Sequence, residues 1–314
     1  MSGWRPDALL PGFEALELPA GDDYDGAVTA TLVRLPGGQA PRGAVLYVHG
    51  FSDYFFQRHM AERFGLEGFA FYALDLRKHG RSLKDHQHPN FCKSVAEYYA
   101  DIDAAIGAIG APVLLAGHST GGLVCSLYAH EGAHRSQVQA LWLNSPFFDW
   151  NLPEWRKVQL HLATALGRYC PFLNDPKAFR PDYTRALRSE WDFDSALKPD
   201  YGFPLYYGWL GAITDAFEKV HRGLAIECPV LAMHSDQADV VLDWRHIARW
   251  SRTLGPNVTV LSFPGGWHDL VCSPGSIREE VFNQLFAWAE SVQPAFCLGE
   301  TKHVVATVGS WQAR

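Results

Sequence analysis

The chain has 314 residues, 47% of them hydrophobic and 19% charged, with a formal net charge of −7. That length and balance fit a soluble globular chain with one large core or one core carrying an insertion. The negative charge argues against a nucleic acid or an anionic membrane as the main partner, and no apolar run approaches the roughly 20 residues that span a bilayer.

The N-terminus, MSGWRPDALLPGFEALELPA, lacks the basic start and apolar block of a secretory leader, so the expected location is the cytoplasm. FEALELPA (13–20) and AVTATLVRLP (27–36) alternate apolar and polar residues and are joined by the turn-rich GDDYDG. They predict an antiparallel pair at a sheet edge. Six short runs follow that are apolar on both faces: AVLYVHG (44–50), FAFYALDL (69–76), PVLLAGHS (112–119), VQALWLNSP (138–146), PVLAMHS (229–235) and VTVLSFPGG (258–266). Such runs predict strands of a parallel sheet covered on both sides.

Helical patterns lie between these runs. Val95, Tyr99, Ile102, Ile106 and Ile109 share one face, with Ser94 and Glu97 placed as a capping box and Gly110 as a stop. Residues 121–130, 243–255 and 276–290 carry further helical patterns. The alternation predicts an α/β fold. It breaks over 147–222, which holds several prolines and 16 of the 42 aromatic residues. So many aromatics need something to bury against, which predicts a mostly helical cap over the sheet. The expected division is a core over 1–146 and 223–290, a cap over 147–222, and a tail over 291–314 with one possible strand, HVVATV. The six cysteines include no Cys-x-x-Cys pair and read as reduced, mostly buried thiols.

Gly117-His118-Ser119-Thr120-Gly121 fits G-x-S-x-G at the point where an apolar strand becomes a helix. There a sharp turn presents a serine hydroxyl at a helix N-terminus, and the neighbours two residues away must be small. A serine nucleophile needs a base, and the base needs a carboxylate. His268, in FPGGWHDL just past the last strand, is the candidate base. Asp236 and Asp239, in HSDQADVVLD after the penultimate strand, are both candidate acids. The oxyanion hole would use the backbone amides of Thr120 and of Phe51, which follows the strand ending His49-Gly50. DLRKHGRS (75–82) reads as a turn beside the site without a chemical role. His86 and His88 lack an evident third ligand, so no metal is expected, nor any cofactor.

HGFSDYFF, DLRKHGRS, GHSTGG, ADVVLD and GGWHD, in that order, resemble the serine α/β-hydrolases of the monoacylglycerol lipase and lysophospholipase group. The resemblance covers roughly residues 40–290. It implies the α/β-hydrolase fold, a mostly parallel eight-stranded sheet with helices on both faces and a helical cap insertion. It also implies Ser119 as nucleophile, His268 as base, and the amides of Phe51 and Thr120 as oxyanion donors. The group's acid lies in a D-x-x-x-D stretch matched by Asp239-Val240-Val241-Leu242-Asp243, which favours Asp239 over Asp236. One departure is His234-Ser235 where His-Gly or Gln-Gly commonly ends the strand.

The expected activity is hydrolysis of a small-molecule or lipid-like carboxylic ester. Tyr54, Phe55 and Trp267 are candidate substrate-binding residues that suit an apolar acyl or aryl group. A second reading is a peptidase or amidase with the same triad. It would need an acidic pocket for a substrate amine, drawn from Glu154, Asp182, Glu190, Asp192 and Asp194. A third is a ligand-binding relative that turns over negligibly.

Overall fold

The computed structural model describes residues 3–37, 40–176 and 180–292. The HVVATV stretch and Cys297 lie outside the described residues. A nine-stranded sheet organises the chain. Its first strands are β1 (Arg5–Pro6), β2 (Glu14–Asp23) and β3 (Gly26–Arg34). Next come β4 (Ala44–Val48), helix α1 (Arg58–Leu66) and β5 (Ala70–Asp75). Helix α2 (Tyr99–Ile109) leads into β6 (Val113–His118), α3 (Thr120–Glu131) and β7 (Val138–Asn144).

The chain then leaves the sheet for α4 (Glu154–Tyr169), β8 (Asn174–Asp175), α5 (Asp182–Glu190), β9 (Leu205–Tyr206) and α6 (Tyr207–His221). It returns through β10 (Val230–His234), α7 (Trp244–Ser251), β11 (Val258–Ser262) and α8 (Gly275–Ser291).

The sheet order is β1-β2-β3-β5-β4-β6-β7-β10-β11. From β5 to β11 all neighbours are parallel. The β2–β3 pair is antiparallel as expected, and its turn is tighter than the sequence suggested, because β2 runs on to Asp23 and β3 begins at Gly26. The strand count is nine rather than the expected eight. The extra strand, β1, is two residues of Arg-Pro paired with β2, too short and too polar to leave an apolar signature.

The apolar runs split between two layers because successive strand side chains face opposite ways. Ala44, Leu46 and Val48 of β4 join the cluster that contains Ile102, Leu123 and Ile213. Val45 and Tyr47 join the other, with Phe64, Phe71 and Phe282. Each fully buried aliphatic side chain here contributes about 1.5–3 kcal/mol relative to exposure. Helix α2 begins from a 3-10 turn at Val95–Tyr98, which the Ser94–Glu97 capping box closes, and Gly110 ends α2 at φ 69°.

Residues 147–222, here called the cap, hold α4, α5, α6 and the antiparallel β8–β9 ribbon. Helix α6 sends Trp209, Ile213 and Phe217 into the core cluster. Helix α4 lies against the start of α6 through Gly167, where a Cβ would come within 2.3 Å of the Tyr207 carbonyl oxygen.

The site lies where strand order reverses. β4 is followed by β5 on one side, and the chain then crosses back to place β6 on the other. Crevices at the carboxyl ends of parallel strands bind ligands at such points.

Candidate active site

The loops that follow β4, β6, β10 and β11 build the site. Strand β6 ends at His118, and Ser119 begins the turn into α3 with φ 52° and ψ −118°. A non-glycine residue held there costs about 1–3 kcal/mol, so the surroundings must enforce it. They do so through both backbone groups of Ser119. Its N–H donates to the Asn144 carbonyl at 3.0 Å, and its carbonyl accepts from the N–H groups of Phe147 at 3.0 Å and Leu123 at 3.2 Å. The flanking glycines make room. A Cβ on Gly117 would stand 2.5 Å from the Gly121 carbonyl oxygen, and one on Gly121 would stand 2.3 Å from that of His49.

His268 is buried and bridges the other two groups. Its Nδ1 lies 2.9 Å from Asp239 Oδ2, and its Nε2 lies 3.0 Å from Ser119 Oγ. A carboxylate only accepts, so Nδ1 carries the proton and Nε2 is free to accept from the serine hydroxyl. Asp239 is buried, and its Oδ1 accepts from the N–H groups of Val241 at 2.8 Å and Leu242 at 3.0 Å. Burial alone would raise its pKa. The nearby His268 and these hydrogen bonds outweigh burial and hold the carboxyl below its ordinary range.

Of the two acids open from the sequence, the structure brings Asp239 to His268. Asp236 faces elsewhere and accepts from the N–H groups of Ala238 at 3.0 Å and Gly265 at 3.2 Å, fastening the loop that carries His268.

At the end of β4, a Cβ on Gly50 would lie 3.2 Å from Ser119 Cβ, so the Gly50–Phe51 peptide lies beside the serine. His49 sets that peptide. Its Nε2 accepts the Leu76 N–H at 3.1 Å, which leaves Nδ1 to donate to the Gly50 carbonyl at 2.8 Å. In a trans peptide the Phe51 N–H then faces the opposite way. Thr120 is the first residue of α3, and first-turn amides lack a partner within the helix.

The candidate substrate-binding residues separate. Trp267 is partly buried, with its N–H donating to Ser273 Oγ at 2.9 Å. Tyr54 is buried, and its hydroxyl accepts the Asp194 N–H from the cap at 2.7 Å. Phe55 does not line the site. It is fully buried among Phe13, Tyr47 and Phe71, because the residue after Tyr54 points to the opposite side of the loop. Its N–H donates to Asp75 Oδ1 at 2.8 Å, and Asp75 is held by Arg81 at 2.9 Å. DLRKHGRS therefore buttresses the loop from below.

Several supporting residues carried no sequence signal. Asn144 Nδ2 donates to Asp269 Oδ1 at 2.7 Å, and its Oδ1 accepts the Leu270 N–H at 3.1 Å. Because its carbonyl also holds the Ser119 N–H, Asn144 links the serine turn to the His268 loop. Asp269 also accepts from Gln57 at 3.0 Å. His118 is buried 4.9 Å from the His268 ring, with Nδ1 3.1 Å from the Asn144 carbonyl, and burial pushes its pKa below the ordinary histidine range. From the cap, Tyr183 sets its ring edge-on to His268 at 5.7 Å and accepts the Asp269 N–H at 3.2 Å. A position after a strand end finds groups that touch the reacting atoms. It does not find side chains that act through loop backbone.

His88 pairs with Asp25 at 2.6 Å, and no cluster of three potential metal ligands occurs among the described residues.

A family model described as serine aminopeptidase, S33, matches residues 39–274, well over half of the chain. The chain belongs to that family of α/β-hydrolases. It is 23% identical over 264 residues to a monoacylglycerol lipase of Mycolicibacterium smegmatis, covering 80% of this chain and 89% of that protein. The fold is similar to a soluble variant of the Saccharomyces cerevisiae monoglyceride lipase solved with a substrate analogue. That match has a TM-score of 0.71 at 19% identity and covers 88% of this chain and 97% of the other. It is also similar to the Paleococcus ferrophilus monoacylglycerol lipase, with a TM-score of 0.66 at 25% identity, covering 83% and 99%.

Proposed function

We propose that this family member hydrolyses carboxylic esters of apolar, lipid-like acids through Ser119, His268 and Asp239. The observation that carries the proposal is the unbroken pair of hydrogen bonds from Asp239 through His268 to Ser119, 2.9 and 3.0 Å long. Ser119 Oγ attacks the acyl carbonyl while His268 Nε2 takes its proton. Asp239 holds the imidazole tautomer and stabilises the imidazolium. The tetrahedral oxyanion rests on the amides of Phe51 and Thr120. Collapse expels the alcohol, protonated by His268. The same imidazole then takes a proton from water as it attacks the acyl-enzyme, and returns it to Ser119 Oγ as the Oγ–acyl bond breaks and the acid leaves.

Two features support an ester over a peptide. An aminopeptidase must hold a substrate ammonium. Asp182, Glu190, Asp192 and Asp194 of the cap are exposed to water, the side chain of Glu154 lies outside those described, and Asp200 is paired with Arg188 at 2.8 Å. In the loop after β4, Asp53 is already paired with Lys198 at 2.6 Å. Asp269, beside His268, spends its oxygens on Gln57, Asn144 and Cys272.

The second feature is the outer face of α4. Trp155, Val158, Leu162, Leu166 and Tyr169 recur at spacings of three and four and are all exposed, Leu162 at 68% and Tyr169 at 87%. An exposed apolar helix face of this size suits the surface of a lipid aggregate. We place the substrate there, although no helix among the described residues is long and apolar enough to cross a membrane.

The test compares p-nitrophenyl esters of increasing acyl length, a monoacylglycerol and proline arylamides. Esters should turn over and Ser119→Ala should not cleave them. Arylamide cleavage without ester cleavage would favour the peptidase reading instead.

A further inference from the structure

The loop between β4 and α1 is fastened to the cap at three consecutive residues. Ser52 Oγ accepts the Phe203 N–H at 3.0 Å, Asp53 Oδ1 meets Lys198 Nζ at 2.6 Å, and the Tyr54 hydroxyl accepts the Asp194 N–H at 2.7 Å. From the core side, Asn90 Oδ1 accepts the Ser52 N–H at 2.7 Å. Only one of these ties is ionic, and it is buried: the Lys198 and Asp53 side chains are 7% and 3% exposed. A lysine brought this far from water requires a charged partner, and removing either one strands the other. Neither group has a part in the hydrolysis set out above.

The loop has an unusual need for such ties. Ser52 sits at φ 52°, in the left-handed region, without being a glycine. The residue before it is Phe51, whose amide is the proposed oxyanion donor. His49 holds that peptide from the Gly50 carbonyl, and contacts to Ser52 and Asp53 hold the chain on its other side.

We infer that Lys198 is a positioning residue of the cap, whose buried pair with Asp53 clamps the Phe51 amide into the oxyanion hole. The hole is then complete only while the cap segment 194–203 is seated on the core. The inference rests on the hydrolase reading. It adds that the cap contributes to the chemical step and not only to substrate choice. A displaced donor weakens the transition state and leaves ground-state binding nearly unchanged.

The test uses the full chain with Lys198→Met, and Asp53→Asn combined with Lys198→Met. For Lys198→Met, kcat on a p-nitrophenyl ester should fall roughly tenfold to a hundredfold with KM moving less than about twofold. Affinity for a trifluoromethyl ketone, which forms an oxyanion on the serine, should fall in proportion. The double variant leaves no stranded charge, so it should regain the melting temperature lost by the single variant while kcat stays low. The clamp is refuted if the double variant regains kcat, since the pair would then matter only for neutrality. It is refuted equally by a raised KM at constant kcat, which would mean that Lys198 touches substrate, or by no change in either. Wild-type protein that cleaves no ester and takes no fluorophosphonate on Ser119 would instead overturn the hydrolase reading beneath it.

Discussion

The sheet and the cap treat apolar side chains in opposite ways. In β4, β6 and β10 every residue is buried, and the strands read as continuous apolar runs. In α4 the large apolar side chains at one face stand in water, while the opposite face packs on α6 through Gly167. The difference separates two tasks. The sheet spends its apolar surface on rigidity, which fixes Ser119, His268 and Asp239 to within hydrogen-bonding distance. The cap keeps apolar surface uncovered, at a cost in solubility that a purely structural element has no reason to bear.

The largest effect expected from this contrast lies at the rigid end of the sheet. Asp239→Asn should lower kcat by about 10⁴-fold, because an amide in place of the carboxylate favours the wrong imidazole tautomer. Asp236→Asn, three residues away, should change kcat far less, since that side chain fastens only loop backbone. Steady-state kinetics on one ester distinguish the two, and equal losses would mean that the acid is shared or misassigned.

Next in size is Gly121→Ala. Its Cβ would meet the carbonyl oxygens of His49 and Val48 at 2.3 and 2.4 Å, both backbone atoms that cannot swing aside. Urea unfolding should show a loss of about 3 kcal/mol or more. A loss below about 1 kcal/mol would show that the turn is not as tightly enforced as described.

On the cap, the combined change Trp155→Ser and Leu162→Ser should leave stability within about 0.5 kcal/mol, because both side chains are already in water. It should reduce hydrolysis of an ester dispersed in lipid vesicles while sparing a short, soluble ester. If both substrates are affected alike, the stripe serves the fold or self-association.

The smallest effect is on pH. Burial depresses the folded-state pKa of His79 and His118 below the ordinary value of 6.5, so the unfolded chain takes up protons first as the solution is acidified. Their contribution to stability is therefore present above pH 6.5 and is lost as pH falls below it. The melting temperature should decline between about pH 6.5 and 5, and His79→Gln should flatten the slope. An unchanged slope would place the proton uptake elsewhere.

Much of the core was legible because burial on both faces writes itself as unbroken apolar runs. The serine turn was legible because a strained left-handed turn at a strand end demands small flanking residues. Five things were not. β1 is held by backbone pairing alone, and Arg5-Pro6 has no side-chain signature. Asp236 and Asp239 are chemically alike in one loop, and only the backbone turn from Asp236 to Leu242 decides which reaches the imidazole. Phe55 reads like its neighbour Tyr54, yet the direction of the loop sends one toward the cap and the other into the core. Helix α1 passed unrecognised between a loop and a strand. The roles of Asn144, His49 and Lys198 depend on contacts between segments far apart in the chain, which no local pattern records.

The central claim is that Ser119 is a nucleophile activated by His268. The most direct measurement is reaction of the purified protein with a fluorophosphonate, followed by intact-mass and peptide mass spectrometry. One adduct per chain, located on Ser119, absent in Ser119→Ala and formed far more slowly in His268→Ala, is the predicted result. Labelling at another residue, or at an unchanged rate in His268→Ala, would contradict the account.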